Sequence, residues 1–520
     1  MTLSSLLVDA ASAQPDNEAL VGLSDRQTWA TYERATAAIA GRLLASGVRA
    51  GDRVAIGFTK DTRSYLAVHG VLRAGAVVVP IDPLSPPTVA RAVIEDAEVA
   101  AVCCDERTYR RLDPWSIDPL DLRLALVDGQ QDERTASWAD ALAVPGVEHL
   151  PSVRADDPAY LIYTSGSTGR PKGILHTHAS AMAYAERAVE AHGLQPHDRI
   201  GGMSPFHFDM STLELYAAPL AGAATVVFGE AHLRMPASFT ARSAAERVSV
   251  WYTVPAFLRQ VVERGAVETR DLGSLRLVMY GGEPYSGGAL AELVAMLPGV
   301  AIDNVYGPAE VNECTFWHLD ASVGPGIDVP IGRAWRDVEL MVVDDGGRAV
   351  PPGTPGELWV SAPTVMAGYW GRADLSARSL HPRDNAPPWY ATGDVVVADA
   401  DGVFWFKGRK DHQVKVRGVR VELEAVELVL TDAPEVLHAV VGAAPTPVAA
   451  THLVAAVVVR DGATFDADAL RHHCAARLPA HAVPREIQVW PSFPTTATSK
   501  IDRRSVRIGL ATTQPEDDVS

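Results

Sequence analysis

Residues 163–173 read YTSGSTGRPKG, and no other stretch says as much about the fold around it. Thr164, Ser165, Ser167 and Thr168 crowd around Gly166 and Gly169, and Arg170 and Lys172 follow. Glycine lets a backbone come close to a ligand. Hydroxyls and backbone N–H groups donate to oxyanions, and cations supply charge. A polyphosphate is the natural guest. The stretch is not a Walker A loop, because GxxxxGK[ST] is absent: Ser167, Thr168, Gly169, Arg170, Pro171 and Lys172 follow Gly166. By composition alone it also fits a flexible Ser/Gly surface loop. Its flanks argue against that, since residues 160–163 form an apolar, strand-like entry and residues 173–175 an aliphatic exit.

Working outward, the chain of 520 residues exceeds a single core and predicts two or more domains. With 47% hydrophobic and 21% charged residues it has the make-up of a globular enzyme and not of a disordered chain. A formal charge of −18 repels nucleic acid and anionic membrane, so neither is an expected partner. An acidic protein partner would need a local basic patch. Cys103, Cys104, Cys314 and Cys474 form no CxxC pair, which predicts reduced thiols and a cytoplasmic location. The first residues lack a basic n-region, so no signal peptide is expected, and no apolar run reaches transmembrane length. His176 and His178, and the run His472, His473 and Cys474, lack zinc spacing and read as ordinary surface or packed residues.

Residues 53–58 read as a strand, 62–74 as a helix and 76–81 as a buried strand, with Gly75 suited to the helix C-cap. Further strands at 224–228, 248–254 and 275–280, and a helix at 288–296, continue an α/β alternation. From about residue 338 the texture becomes β-rich. Short strands at 338–343, 356–361, 395–398 and 403–407 are separated by hairpin-like turns at 344–347 and 399–402. After the charged run 407–412 comes a compact α+β pattern: helix 422–430, strands 438–442 and 453–459, helix 467–478. A domain boundary near Asp411 follows, and the tail at 514–518 reads as disordered.

The opening stretch resembles the phosphate loop of the adenylate-forming enzymes, which include acyl-CoA synthetases, luciferases and the adenylation domains of nonribosomal peptide synthesis. Other segments match that family in order: 29–33, 71–82 (VLRAGAVVVPID), 208–211 (FDMS), 304–310 (NVYGPAE), 356–369, 390–394 (YATGD), 408–427 (GRKDHQVKVRGVRVELEAVE), 478–484 and 499–503 (SKIDR). Any one match is weak, but the ordered run spans nearly the whole chain. The resemblance implies an α/β protein. A large N-terminal domain of α/β subdomains plus a β-rich subdomain, residues 1–410, would bind ATP and an amino acid. A small, mobile α+β C-terminal domain, residues 411–520, would carry the catalytic lysine.

The reaction implied joins a carboxylate to the α-phosphate of ATP with Mg2+ present and expels pyrophosphate. Both reactants are anions, so the site must neutralise charge and align them. By resemblance, Thr164, Ser165, Gly166, Ser167, Thr168, Gly169 and Lys172 hold the β- and γ-phosphates. Glu310 is the magnesium-associated carboxylate, adenine stacks on Tyr306 and meets Asn304 beside Gly307, and Asp394 with Arg409 holds the ribose. Lys500 bridges the substrate carboxylate and the α-phosphate, and Asp411 is the hinge. A second pose about that hinge would present Lys415 to Arg420, with Gly418 admitting a thiol-bearing arm. Taken singly, Glu310 also fits a solvated loop acid, Tyr306 a core residue, Asp394 a turn residue and 407–420 a solvated basic face. One departure is Ser499, where the family usually has Gly before the lysine; a positive φ there would cost a serine.

Asp209 matches the acid that pairs with the α-amino group in amino-acid-activating members. A partly buried carboxylate needs a cation, and an acyl or aryl acid would leave it unpaired. The other pocket positions by motif alignment are Met210, Leu213, Tyr252, Val278, Tyr280, Val305, Glu313 and Cys314. A one-residue slip before Gly282 would replace Val278 and Tyr280 by Met279 and Gly281. Leu213, Tyr252 and Cys314, with Asn312 and Thr315 nearby, are similar to stand-alone enzymes that load proline. Tyr280 stands where a small residue is usual and Glu313 where an aliphatic one is usual. A bulky Tyr280 would shrink the cavity and favour alanine, glycine or serine over proline. Glu313 would share the ammonium with Asp209, meet a more distant amine of a β-amino or diamino acid, or point out of the pocket.

The chain ends about 20 residues after Lys500, with no carrier domain following. The expectation is a free-standing ligase that passes its aminoacyl group to the phosphopantetheine thiol of a separate carrier protein. Antibiotic biosynthesis is the kind of setting such an enzyme serves. Alternatives are a proline- or β-amino-acid-activating enzyme, an acyl-CoA ligase and a non-catalytic carrier-binding scaffold.

Overall fold

The computed structural model describes residues 1–117, 122–128, 135–143, 150–164, 171–319, 323–410, 413–445, 451–460, 462–494 and 501–512. Ser165, Gly166, Ser167, Thr168, Gly169, Asp411 and Lys500 lie outside the described residues. The chain divides into two compact units. The first comprises Met1–Pro83, Val93–Tyr163 and Gly173–Lys410; the second comprises Leu84–Ala92, Thr164–Lys172 and Asp411–Ser520.

In the first unit, short β-branched runs alternate with capped helices. Asp61 accepts from Ser64 N to start the helix Thr62–Arg73, and Gly75, at φ +71°, releases the chain into the strand Val77–Pro80. That strand is buried along its whole length, as a parallel strand covered on both faces must be. It lies in an 8-stranded sheet between Arg53–Gly57 and Pro158–Thr164, with Val99–Cys104 beyond Arg53–Gly57.

The sheet that positions the site has 9 strands. Through its middle, Arg199–Gly202, Val250–Thr253, Leu277–Gly281 and Ala301–Tyr306 run parallel, and Thr315–His318 then returns antiparallel. Open parallel sheets bind ligands beyond the carboxyl ends of their strands. Tyr252, Gly281, Val305 and Tyr306 stand at those ends.

The β-rich part is a 5-stranded antiparallel sheet built from Glu339–Val343, Gly356–Ser361, Leu380–His381, Trp389–Ala398 and Phe404–Arg409. Its turns are held as their sequences predict. Asp344 Oδ1 accepts from Gly346 N and Arg348 N, and Asp399 Oδ1 accepts from Asp401 N and Val403 N.

In the second unit, the hairpin Gln413–Val416 and Val419–Glu422 leads into the helix Leu423–Thr431. The strands Val436–Pro445, Thr451–Val459 and Glu486–Val489 form a three-stranded sheet packed by the helices Ala467–Ala475 and Arg503–Thr512. Among the described residues, no helix is long and apolar enough to cross a membrane.

Candidate active site

Beyond the strand Ala301–Tyr306 the chain folds back on itself. Cys314 N bonds to Tyr306 O at 2.9 Å, and Val311 N to Pro308 O at 2.8 Å. The turn closes so tightly that a Cβ on Gly307 would stand 1.5 Å from Asn312 O, and Asn312 itself takes φ +65°. Glycine is therefore obligatory at 307. This loop carries Glu310 and Glu313, both buried. Glu310 Oε1 accepts from the Tyr369 hydroxyl at 2.8 Å.

Asp394 and Arg409 are cross-strand partners. The guanidinium bonds to Asp394 Oδ1, while Tyr306 donates its hydroxyl to Asp394 Oδ2 at 2.5 Å. Burial first, and then the Asp394 charge, hold the Tyr306 phenol well above its ordinary pKa. Tyr306, Asp394 and Arg409 thus form one group. Asn304 lies on the opposite face of its strand from Val305. One of its amide N–H groups is already given to Pro330 O at 2.7 Å.

Asp209 follows the strand Arg199–Gly202 in a loop that is pinned from below. Lys60 Nζ donates to Ser204 O at 2.5 Å and pairs with Glu214, whose other oxygen accepts from Tyr65 at 2.5 Å. Burial lowers the Lys60 pKa and raises that of Glu214. Glu214 sits in a wide π-helical turn, Leu213–Ala217, a feature often found beside functional sites. Asp209 Oδ1 accepts from Met210 N, and Asp209 O accepts from the Thr212 hydroxyl. Burial, then the charge of Glu313 with a smaller contribution from Asp209, keep the phenols of Tyr184 and Tyr252 well above their usual pKa.

The two sheet faces divide the expected pocket residues. Leu213, Tyr252, Val305 and Cys314 belong to one buried cluster, with Met210 packed against it and Met279 within it. Val278 and Tyr280 belong to a different cluster, with Trp251, Phe239, Tyr285 and Leu290. The register explains this: Tyr252 pairs with Met279 and Val305 with Gly281, and strand side chains alternate between faces. The expected places of Val278 and Tyr280 are therefore corrected. Met279 and Gly281 share the sheet face of Tyr252 and Val305, and the Tyr280 side chain lies on the other face. A Cβ on Gly281 would meet Val305 O at 2.6 Å, so this wall is necessarily bare.

Glu313 points inward and already has a partner. Tyr184 donates to its Oε1 at 3.3 Å, and His192 Nε2 lies 3.6 Å from its Oε2. His192 Nδ1 bonds to Asp303 Oδ2 at 2.9 Å. Burial alone would depress the imidazole, but the bond to Asp303 and the charge of Glu313 outweigh it and raise the pKa to about 9. Sequence reading missed His192, since nothing near it in the chain marks it.

Two further expected residues fall in the second unit. The Thr164 hydroxyl is buried with no hydrogen-bond partner among the described residues, and Lys172 Nζ lies 3.4 Å from Glu422 Oε1. In the first unit, Tyr163 donates to Asp96 at 2.9 Å, and a Cβ on Gly173 would meet the Tyr163 ring at 2.8 Å.

Residues 7–370 match the family model described as AMP-binding enzyme, and residues 425–500 match the AMP-binding enzyme C-terminal domain. The chain is 33% identical over 517 residues to an L-proline--[L-prolyl-carrier protein] ligase of Streptomyces coelicolor, covering 96% of this chain and 95% of that one. It is 30% identical to a protein of the same description from Pseudomonas fluorescens, covering 96% and 97%. Among solved structures, the amide bond synthetase McbA of Marinactinospora thermotolerans superimposes with TM-score 0.87 at 27% identity, covering 98% of this chain and all of that one (100%).

Proposed function

The chain belongs to the AMP-binding enzyme family, and from that premise we propose that it is an amino-acid ligase that forms an aminoacyl-AMP and loads a separate carrier protein. The observation that carries this reading is Asp209, a half-buried acid in the loop beyond the carboxyl end of the parallel strand Arg199–Gly202, whose charge is felt by the buried phenols of Tyr184 and Tyr252. An acid in that setting calls for a cationic substrate.

In the first half-reaction a carboxylate oxygen attacks the α-phosphorus, the bond from that phosphorus to its bridging oxygen breaks, and pyrophosphate leaves. Asp209 holds the substrate ammonium. Tyr306, its hydroxyl anchored on Asp394, offers adenine its ring face, and the carbonyl of Asn304 accepts from the adenine amino group. Asp394 and Arg409 hold the ribose. Thr164 and Lys172, with Ser165, Gly166, Ser167, Thr168 and Gly169, hold the outer phosphates. Lys500 offsets charge at the reacting centre, brought there by turning about Asp411.

Mg2+ asks a protein for one or two carboxylates beside phosphates and water, and Glu310 supplies a buried carboxylate with one oxygen held by the Tyr369 hydroxyl. Glu310 would hold the ion, which would neutralise phosphate charge.

In the second half-reaction the phosphopantetheine thiol loses its proton to solvent and attacks the acyl carbon, and AMP leaves. Because Tyr280 faces away, the ground for preferring alanine, glycine or serine is gone. Proline becomes the first candidate, supported by the two prolyl ligase relatives. An ATP–pyrophosphate exchange panel over proline, alanine, glycine, serine, and β- and diamino acids tests the reading. Exchange led by proline supports it, and exchange with none refutes it.

A further inference from the structure

Resting on the reading of this chain as an amino-acid ligase, we infer that His192 is a positioning residue that fixes the charge the substrate side chain must have. Hydrogen-bonded to Asp303 on one side and ion-paired with Glu313 at 3.6 Å on the other, it cancels the second pocket acid from within, so the site takes amino acids with one ammonium and an uncharged side chain.

Of the two acids assigned to the pocket, Glu313 faces a cation of the protein itself, and Asp209 is the one proposed to meet the substrate ammonium. Glu313 lies 3.6 Å from His192 Nε2 and accepts from Tyr184. The opposite ring nitrogen donates to Asp303, whose other oxygen accepts from His318 Nδ1 at 2.8 Å. Asp303 thus has two donors, and the Nε2 side of His192 is left to serve Glu313. The ring is sealed edge-on by Phe316 and Trp335, with centroids at 5.6 and 5.9 Å. Arg276, the other cation nearby, bonds to the His192 carbonyl and pairs with Asp198, so it does not compete for Glu313.

His192 is also the C-cap of the helix His178–Ala191. A cation at a helix C-terminus is favoured by the helix dipole. An imidazolium there is held by two acids and a helix end. A second substrate ammonium reaching for Glu313 would meet this fixed cation across the same carboxylate, and like charges repel strongly in dry surroundings. A pyrrolidine ring, a methyl group or a hydroxyl meets no such barrier.

The test compares proline, alanine, diaminopropionate and diaminobutyrate in pyrophosphate exchange. It uses the full chain, His192→Gln, and His192→Gln combined with Glu313→Gln. The parent is expected to favour the best neutral amino acid over the better diamino acid by about 100-fold or more in kcat/KM. His192→Gln should narrow that ratio by about 10-fold or more, and the double substitution should restore it. An unchanged ratio in His192→Gln, or a parent that prefers a diamino acid, overturns the inference alone. No exchange with any amino acid overturns the ligase reading and this inference with it. Since a buried histidine variant can fail to fold, the isotope-labelled ring nitrogens of the parent provide a second readout. At pH 8, below its value of about 9, the ring should be doubly protonated, and a neutral ring overturns the inference.

Discussion

Tyr306 donates its hydroxyl hydrogen to Asp394 at 2.5 Å, which joins the end of a parallel strand in one sheet to a strand of another. The ring assigned to adenine and the carboxylate assigned to ribose therefore cannot move independently. Tyr306→Phe keeps the ring face but leaves Asp394 Oδ2 without this donor. A hydrogen bond to a charged group contributes about 1.5–3 kcal/mol, so the KM for ATP should rise about 10-fold or more while the amino-acid KM barely changes. Steady-state exchange kinetics with each substrate varied checks this.

Lys500→Ala should slow adenylate formation by about 100-fold or more, since groups that offset transition-state charge contribute on that scale. Calorimetry should show ATP binding little altered. Equal exchange rates in variant and parent would remove Lys500 from catalysis.

Asp209→Ala leaves the substrate ammonium facing a site without its counter-charge. Breaking a buried pair costs about 3–5 kcal/mol, so the amino-acid KM should rise about 100-fold or more and the ATP KM far less. A parallel loss of both would place Asp209 in the folding core instead.

Tyr280→Phe and Met279→Ala separate the two faces of one strand. The Tyr280 hydroxyl is buried with no hydrogen-bond partner among the described residues, so removing it should leave stability equal or higher and substrate preference unchanged. Met279→Ala should open room beside Tyr252 and shift preference toward bulkier amino acids. Competition between proline and its larger ring homologue measures the shift, and the opposite pattern would restore Tyr280 to the pocket.

Stability should peak near neutral pH. His192, raised from 6.5 to about 9, contributes on the order of 3 kcal/mol that is fully present below pH 6.5 and lost as pH rises through 9. Burial holds His176 and His178 down to about 4 and His69 to about 3. Their contribution is present above pH 6.5 and is lost as pH falls toward those values. Urea unfolding from pH 5 to pH 9 should give a maximum near 6.5, and a steady rise across the range would contradict the assignment.

Periodicity and turn chemistry make most of the fold legible. The run at 356–361 predicts the strand Gly356–Ser361, and the run at 62–74 the helix Thr62–Arg73. The turn sequences at 344–347 and 399–402 announce the hairpins that Asp344 and Asp399 close. Facing is harder to read. A strand's side chains alternate, so a one-residue uncertainty near Gly282 exchanges Tyr280 for Gly281 and reverses the inference about cavity size. Long-range charge is harder still, for His192 meets Asp303 from 111 positions away.

The hairpin that Gly307 makes possible has a consequence for anyone retuning this enzyme. It mounts Glu310 and Glu313 on one tight loop, three positions apart, so edits at Glu313 also bear on the placement of Glu310, the carboxylate proposed to hold the metal. Libraries that broaden substrate choice should begin at Met279, on the strand Leu277–Gly281, which carries neither of these acids.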